Sequence, residues 1–331
     1  MSATRGTWTK QRDKKTPSGL RFAGEIAALA GAPLPADVAR AARYILLNAI
    51  AKAIGGSQQA VVDAVFELAA REGGERRVPV PGRRERVDRY FAAIATAAAG
   101  QALVCVEAKD GEVIQPGVAP LGAVLGLALE RRVVGSRALG AFSLGCEIEL
   151  RTASAMSSHH FDAGWGVAGT CGVIGAAVAA GLVIGLDGGR LAHAMGIASS
   201  QIVGHRQAVG TSSEPLYVGK AAANGVLSAL LAERGFTGPA GLEAPRGFFV
   251  AFSADGMIDL DAYSEDLGKR WNLTDCAAMI ENEVSAKART LVELVLPGHT
   301  DQLAECVMTL ERSPNLNALV SAVAPSCGAS A

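Results

Sequence analysis

Adjacent histidines at positions 159 and 160, with Asp162 close behind, supply imidazoles that can give and take protons near neutral pH. His205 is followed by Arg206, a guanidinium able to hold a carboxylate through charge-assisted hydrogen bonds. Tyr217 offers a phenolic donor, and Lys220, one turn beyond it on the same helical face, offers an ammonium. The run Gly210-Thr211-Ser212-Ser213 precedes a helix beginning near Pro215, so the hydroxyls of Thr211 and Ser212 and the neighbouring backbone amides could hold an anionic group. This set could move a proton while donors and cations hold a negative charge. Each member also has an ordinary reading: solvated loop histidines, a cation at a helix carboxyl end, a packed tyrosine, a surface lysine and plain helix capping.

Other chemistries fit less well. Neighbouring histidines lack the i, i+4 spacing that aims two imidazoles at one metal ion. Cys171 sits inside an apolar helical run, where burial raises a thiol's pKa and blunts it as a nucleophile. The chain carries no phosphate loop and no dinucleotide fingerprint, so no cofactor is expected.

The elements that must carry these residues are mainly helices. Apolar periodicity predicts helices over 20–31, 36–54, 58–72, 84–105, 119–130, 135–153, 169–185, 188–200 and 215–234, with a short one near 240–252. Little alternates with a period of two before residue 265, whereas 286–298 reads as a strand. The fold class is therefore mainly all-α, with a short C-terminal remnant that could be α+β. We expect a flexible basic tail over 1–21, a helical body over 22–265 and a divergent segment over 266–331.

Half of the 331 residues are hydrophobic and 19% are charged, ample for a packed core. A net charge of −1 gives no electrostatic basis for binding nucleic acid or an anionic membrane. Six scattered cysteines form no metal or disulfide pattern and suit a reduced, cytoplasmic location. The uncharged run 168–186 approaches membrane-spanning length, but its glycine and alanine content suits close helix packing, so we expect a buried central helix in a soluble protein.

Several segments together resemble the MmgE/PrpD family, which includes 2-methylcitrate dehydratase, cis-aconitate decarboxylase and iminodisuccinate epimerase. They are Ile-Leu-Leu-Asn-Ala-Ile-Ala-Lys-Ala-Ile-Gly-Gly (45–56), Gly-Cys-Glu-Ile-Glu-Leu-Arg (145–151), Gly-Trp-Gly-Val-Ala-Gly-Thr-Cys-Gly (164–172) and Ala-Met-Gly-Ile-Ala-Ser-Ser-Gln (194–201). To these add Gly-Thr-Ser-Ser-Glu-Pro-Leu-Tyr-Val-Gly-Lys (210–220), Gly-Phe-Thr-Gly-Pro (235–239) and Arg-Gly-Phe-Phe (246–249). Their order and spacing span about residues 24 to 271.

The resemblance implies a helical core domain, a homodimer, a small carboxylic acid as substrate, and a lyase or isomerase step by proton transfer next to a carboxylate. It also implies an α/β lid beyond residue 271, from which this sequence departs. The family's His-Pro-Gly corresponds to Gln115-Pro116-Gly117, where Gln115 could hold a carboxylate but could not shuttle a proton. The histidine of Gly-Trp-His corresponds to Gly166, a lysine to Glu214 and a further histidine to Tyr217. Replacement groups could rebuild a reaction here, with His159 or His160 swinging into the space at Gly166. The alternative is a non-catalytic homologue that keeps the scaffold for binding.

Overall fold

The computed structural model describes residues 19–103, 116–156, 159–253 and 257–325; Gln115 and the side chains of His159 and Phe161 lie outside that description. The described chain is helical. It begins with α1 (Gly19–Ala30), α2 (Ala36–Gly56) and α3 (Ala60–Glu72), followed by a small antiparallel ribbon of β1 (Val78–Pro79) and β2 (Arg86–Val87) in which Val78 faces Val87. Next come α4 (Arg89–Ala102), α5 (Val118–Glu130), α6 (Gly135–Ala155), the short α7 (His159–Asp162) and α8 (Val167–Thr170), then α9 (Gly172–Ile184) and α10 (Gly188–Ser199). The body closes with α11 (Ser213–Glu233), α12 (Phe248–Phe252) and α13 (Leu260–Ser264), and the chain goes on into α14 (Asn272–Glu293), α15 (Thr300–Met308) and α16 (Asn317–Val323).

Two sequence expectations shift. The helix expected from residue 84 starts at Arg89, because Arg86–Val87 pairs with β1 and the Asp88 carboxylate caps the helix by accepting from the Tyr90 and Phe91 amides. The strand expected over 286–298 is instead the end of α14 and the turn after it. Val284, Ala288 and Val292 recur at helical spacing and are buried, and this period overrides the local alternation of Ala286, Lys287, Ala288 and Arg289.

The core is built around α9, whose residues from Gly172 to Val183 are all buried. Together with α8 it forms the apolar stretch Val167–Ile184, of mean hydropathy 2.2 and 83% buried inside the fold. Helices α5, α6, α10 and α11 cover it. Such close cover requires missing side chains: a Cβ at Gly175 would lie 2.6 Å from the Gly145 carbonyl oxygen, and a Cβ at Gly145 would lie 2.8 Å from that of Gly175. The α6–α9 crossing is therefore backbone against backbone. Gly225 of α11 meets Ala176 in the same way, its Cβ falling 2.5 Å from the alanine methyl.

Helix α14 packs along α2 and is tied to α6 by a buried ion pair. Arg151 Nε donates to Glu147 Oε1 at 2.6 Å, both side chains being fully buried. The Arg151 guanidinium also donates to the carbonyls of Tyr263, Glu265 and Arg270, at 3.4, 2.8 and 2.7 Å. The Glu147 carboxylate meanwhile accepts the Asn272 and Leu273 amides at the amino end of α14. A charge pair that would be costly alone is thus fully hydrogen-bonded, and it joins the residues before and after 265.

Candidate functional site

Four of the candidate residues meet on one short segment, residues 162 to 170. Trp165 forms a β-bridge with His205, and the Arg206 amide donates to the Gly164 carbonyl at 2.7 Å. The Arg206 guanidinium stands 4.0 Å from Asp162 in an exposed pair of little energetic weight. His205 is exposed. His160 is buried under the same segment, its ring stacked 6.4 Å from that of Trp165.

Both His160 ring nitrogens are engaged. The Phe252 carbonyl can only accept, so Nδ1 carries the proton and donates to it at 2.9 Å; in the neutral ring Nε2 then accepts the Thr170 hydroxyl at 2.9 Å. Burial lowers the His160 pKa from its ordinary 6.5, opposed in part by the Phe252 hydrogen bond. The unfolded chain therefore holds a proton here more tightly than the folded chain. Stability is expected to decline as pH falls below about 6.5 towards the depressed folded value, and urea titrations of His160→Gln should lose that slope. An unchanged slope would deny His160 this neutral, structural role.

Tyr217 takes the space expected for an imidazole. A Cβ on Gly166 would lie 2.8 Å from the Tyr217 hydroxyl oxygen, and Cβ atoms on Gly169 and Gly204 would lie 2.9 and 2.7 Å from its ring. The phenol thus stands where a side chain at position 166 would project, and His160 does not swing into that gap. Three glycines make the slot, two of them in segments well before Tyr217 in the chain.

The remaining candidates serve elsewhere. Thr211 is exposed; its hydroxyl donates to the Ala208 carbonyl at 2.6 Å and accepts the Ser213 amide, so it shapes the entry to α11. Ser212, the residue before α11, is exposed and makes no side-chain capping bond. Lys220 is half-buried, its ammonium donating to the Tyr90 hydroxyl and lying 4.8 Å from the centre of that ring. Glu214 does not face a substrate as a bare anion: it is buried, accepting the Gly210 amide at 2.9 Å and the Gln101 side-chain amide at 3.3 Å.

Sequence reasoning missed Glu149. This carboxyl is buried in α6, and its Oε2 accepts the Gly117 amide at 3.5 Å. Burial pushes it up to about 8, a value at which it exchanges protons near physiological pH. The available signal was a second acid, two positions after Glu147, in a helix whose neighbours are small and apolar. The buried thiols are unsuited to such work: burial raises Cys171 strongly and Cys276 to about 11.

No curated protein matches the chain. The sequence pattern of the MmgE/PrpD N-terminal domain, however, matches residues 21–261, which takes in the helical body and every residue of the site around Trp165. On that span the chain belongs to the MmgE/PrpD family.

Proposed function

We propose that this protein carries out a dehydratase, decarboxylase or isomerase step on a small carboxylic acid, moving a proton next to a carboxylate. The observation that carries the reading is the placement of the Tyr217 phenol in front of Gly166, at 2.8 Å from where a Cβ would be. A polar O–H therefore replaces the missing side chain at a position where the resemblance implies a histidine. A phenol there can act as a proton donor or as a hydrogen-bond donor to a developing oxyanion. Arg206, paired with exposed Asp162 on the adjoining segment, supplies a cation for the substrate carboxylate.

A binding or scaffold role is the second reading. It is favoured by the two engaged nitrogens of His160 and by Glu214, whose carboxylate is spent on Gly210 and Gln101. Turnover of a panel of di- and tricarboxylic acids separates the two. We expect Tyr217→Phe to lower kcat by about 100-fold or more, the range of one acid/base group, with little change in thermal stability. Equal rates in both proteins would remove Tyr217 from the chemistry, and binding without turnover in the wild type would favour the second reading.

A further inference from the structure

A second group of polar side chains gathers in the core at the amino end of α5. Gly117 enters that helix with φ of 108°, and a Cβ on it would lie 3.0 Å from Ile45 Cγ2. Ile45, Asn48 and Lys52 are spaced three and four residues apart on α2 and so share one face. The face that meets Gly117 therefore carries an amide and an ammonium, both buried. From α6 comes Glu149, with Oε2 bound to the Gly117 amide and Oε1 3.3 Å from a Cβ on Gly172.

Other titratable groups bound the same region. The thiols of Cys146, Cys171 and Cys276 all feel the charge of Glu149; Cys146 also feels Glu147, and Cys276 feels Asp275 and Lys52. Cys276 of α14 thus lies within electrostatic reach of both Lys52 on α2 and Glu149 on α6. Burying an acid and a lysine in a core of alanine, valine and leucine carries a solvation cost that an apolar pair would avoid. The two sites share one stretch of chain: Tyr217 contacts Gly166 and Gly169, and Glu149 contacts Gly172 and Gly175.

We propose that Glu149 exchanges the proton with the substrate carbon, while Lys52 and Asn48 hold the carboxylate attached to that carbon. The assignment rests on the proton-transfer reading above. In the step, the Glu149 carboxylate takes a hydrogen from the carbon next to the carboxylate, forming its own O–H bond. The C–H electron pair moves into the bond to the carboxyl carbon, giving an enediolate. Its added negative charge is met by the Lys52 ammonium and the positive end of α5. Return of the proton re-forms the C–H bond and the carboxylate of Glu149.

Solvent exchange reads this step without a finished product. Succinate, tricarballylate and citrate are incubated with the protein in deuterium oxide, and loss of the proton signal next to the carboxylates is followed by NMR. We expect exchange in the wild type with an apparent midpoint near pH 8, and at least a 100-fold loss in Glu149→Gln. Exchange at the wild-type rate in a folded Glu149→Gln protein overturns the assignment and leaves the proton-transfer reading standing; no exchange in the wild type with any of the three acids overturns both. Should that variant not fold, infrared spectra of wild-type protein carrying carbon-13 glutamate decide instead. A protonated carboxyl band that shifts on adding succinate supports the assignment, and a band unmoved by all three acids overturns it.

Discussion

Replacing Arg151 by methionine is expected to destabilise the protein by about 3–5 kcal/mol, the usual consequence of removing one partner from a buried ion pair. The substitution leaves the fully buried Glu147 without its guanidinium, and it strips the donor from the carbonyls of Tyr263, Glu265 and Arg270. Among the described residues Glu147 then keeps the Asn272 and Leu273 amides. Against a total stability of about 5–15 kcal/mol, this is a large fraction. Urea unfolding of Arg151→Met, Glu147→Gln and the double variant measures it. Because both residues belong to one network, the double variant should cost clearly less than the sum of the singles. A loss under about 1 kcal/mol in Arg151→Met would mean the pair contributes little to holding α14 on α6.

Gly175→Val should be of similar severity for a different reason. Its Cβ would lie 2.6 Å from the Gly145 carbonyl oxygen and 2.8 Å from the Glu149 Cβ, and the first of these is backbone that cannot rotate aside. Overpacking costs about 1–3 kcal/mol when side chains can yield, and we expect the upper end or beyond here because α6 and α9 must separate. Gly140→Ala on the same α6 is the control. Nothing lies within 4 Å of a Cβ there, so alanine should stabilise the helix by about 0.5–1 kcal/mol. Thermal melts that rank the two alike would show that the crossing is looser than its backbone contacts imply.

The helical body was legible because apolar residues recur every three to four positions and glycine, proline or aspartate mark the ends. The expected 36–54 and 188–200 differ from α2 and α10 only at their edges. The strand expected near 286 failed because a few alternating residues at a helix end imitate a period of two, while burial of Val284, Ala288 and Val292 follows the longer pattern. The site was harder to read. His160 and Tyr217 looked equally suited to chemistry until their partners were known: Thr170 and Phe252 for the first, Gly166, Gly169 and Gly204 for the second. Those contacts depend on which loops the fold brings together, and no local spacing encodes them. Glu149 escaped notice because an acid on a helix is normally solvated, and only tertiary burial makes it unusual.

The apolar stretch Val167–Ile184 also bears on how the chain is made. Its neighbours α5 and α6 precede it and are already synthesised when it emerges, but α11 ends about fifty residues later. At about 5–20 residues per second, ribosomal synthesis leaves one side of this stretch uncovered for roughly 3–10 seconds. During that interval it presents to chaperones and membranes a surface as oily as a spanning helix. Substitutions that slow the docking of α11, such as enlarging Gly225 where it meets Ala176, would therefore act on yield in the cell before they act on the finished protein.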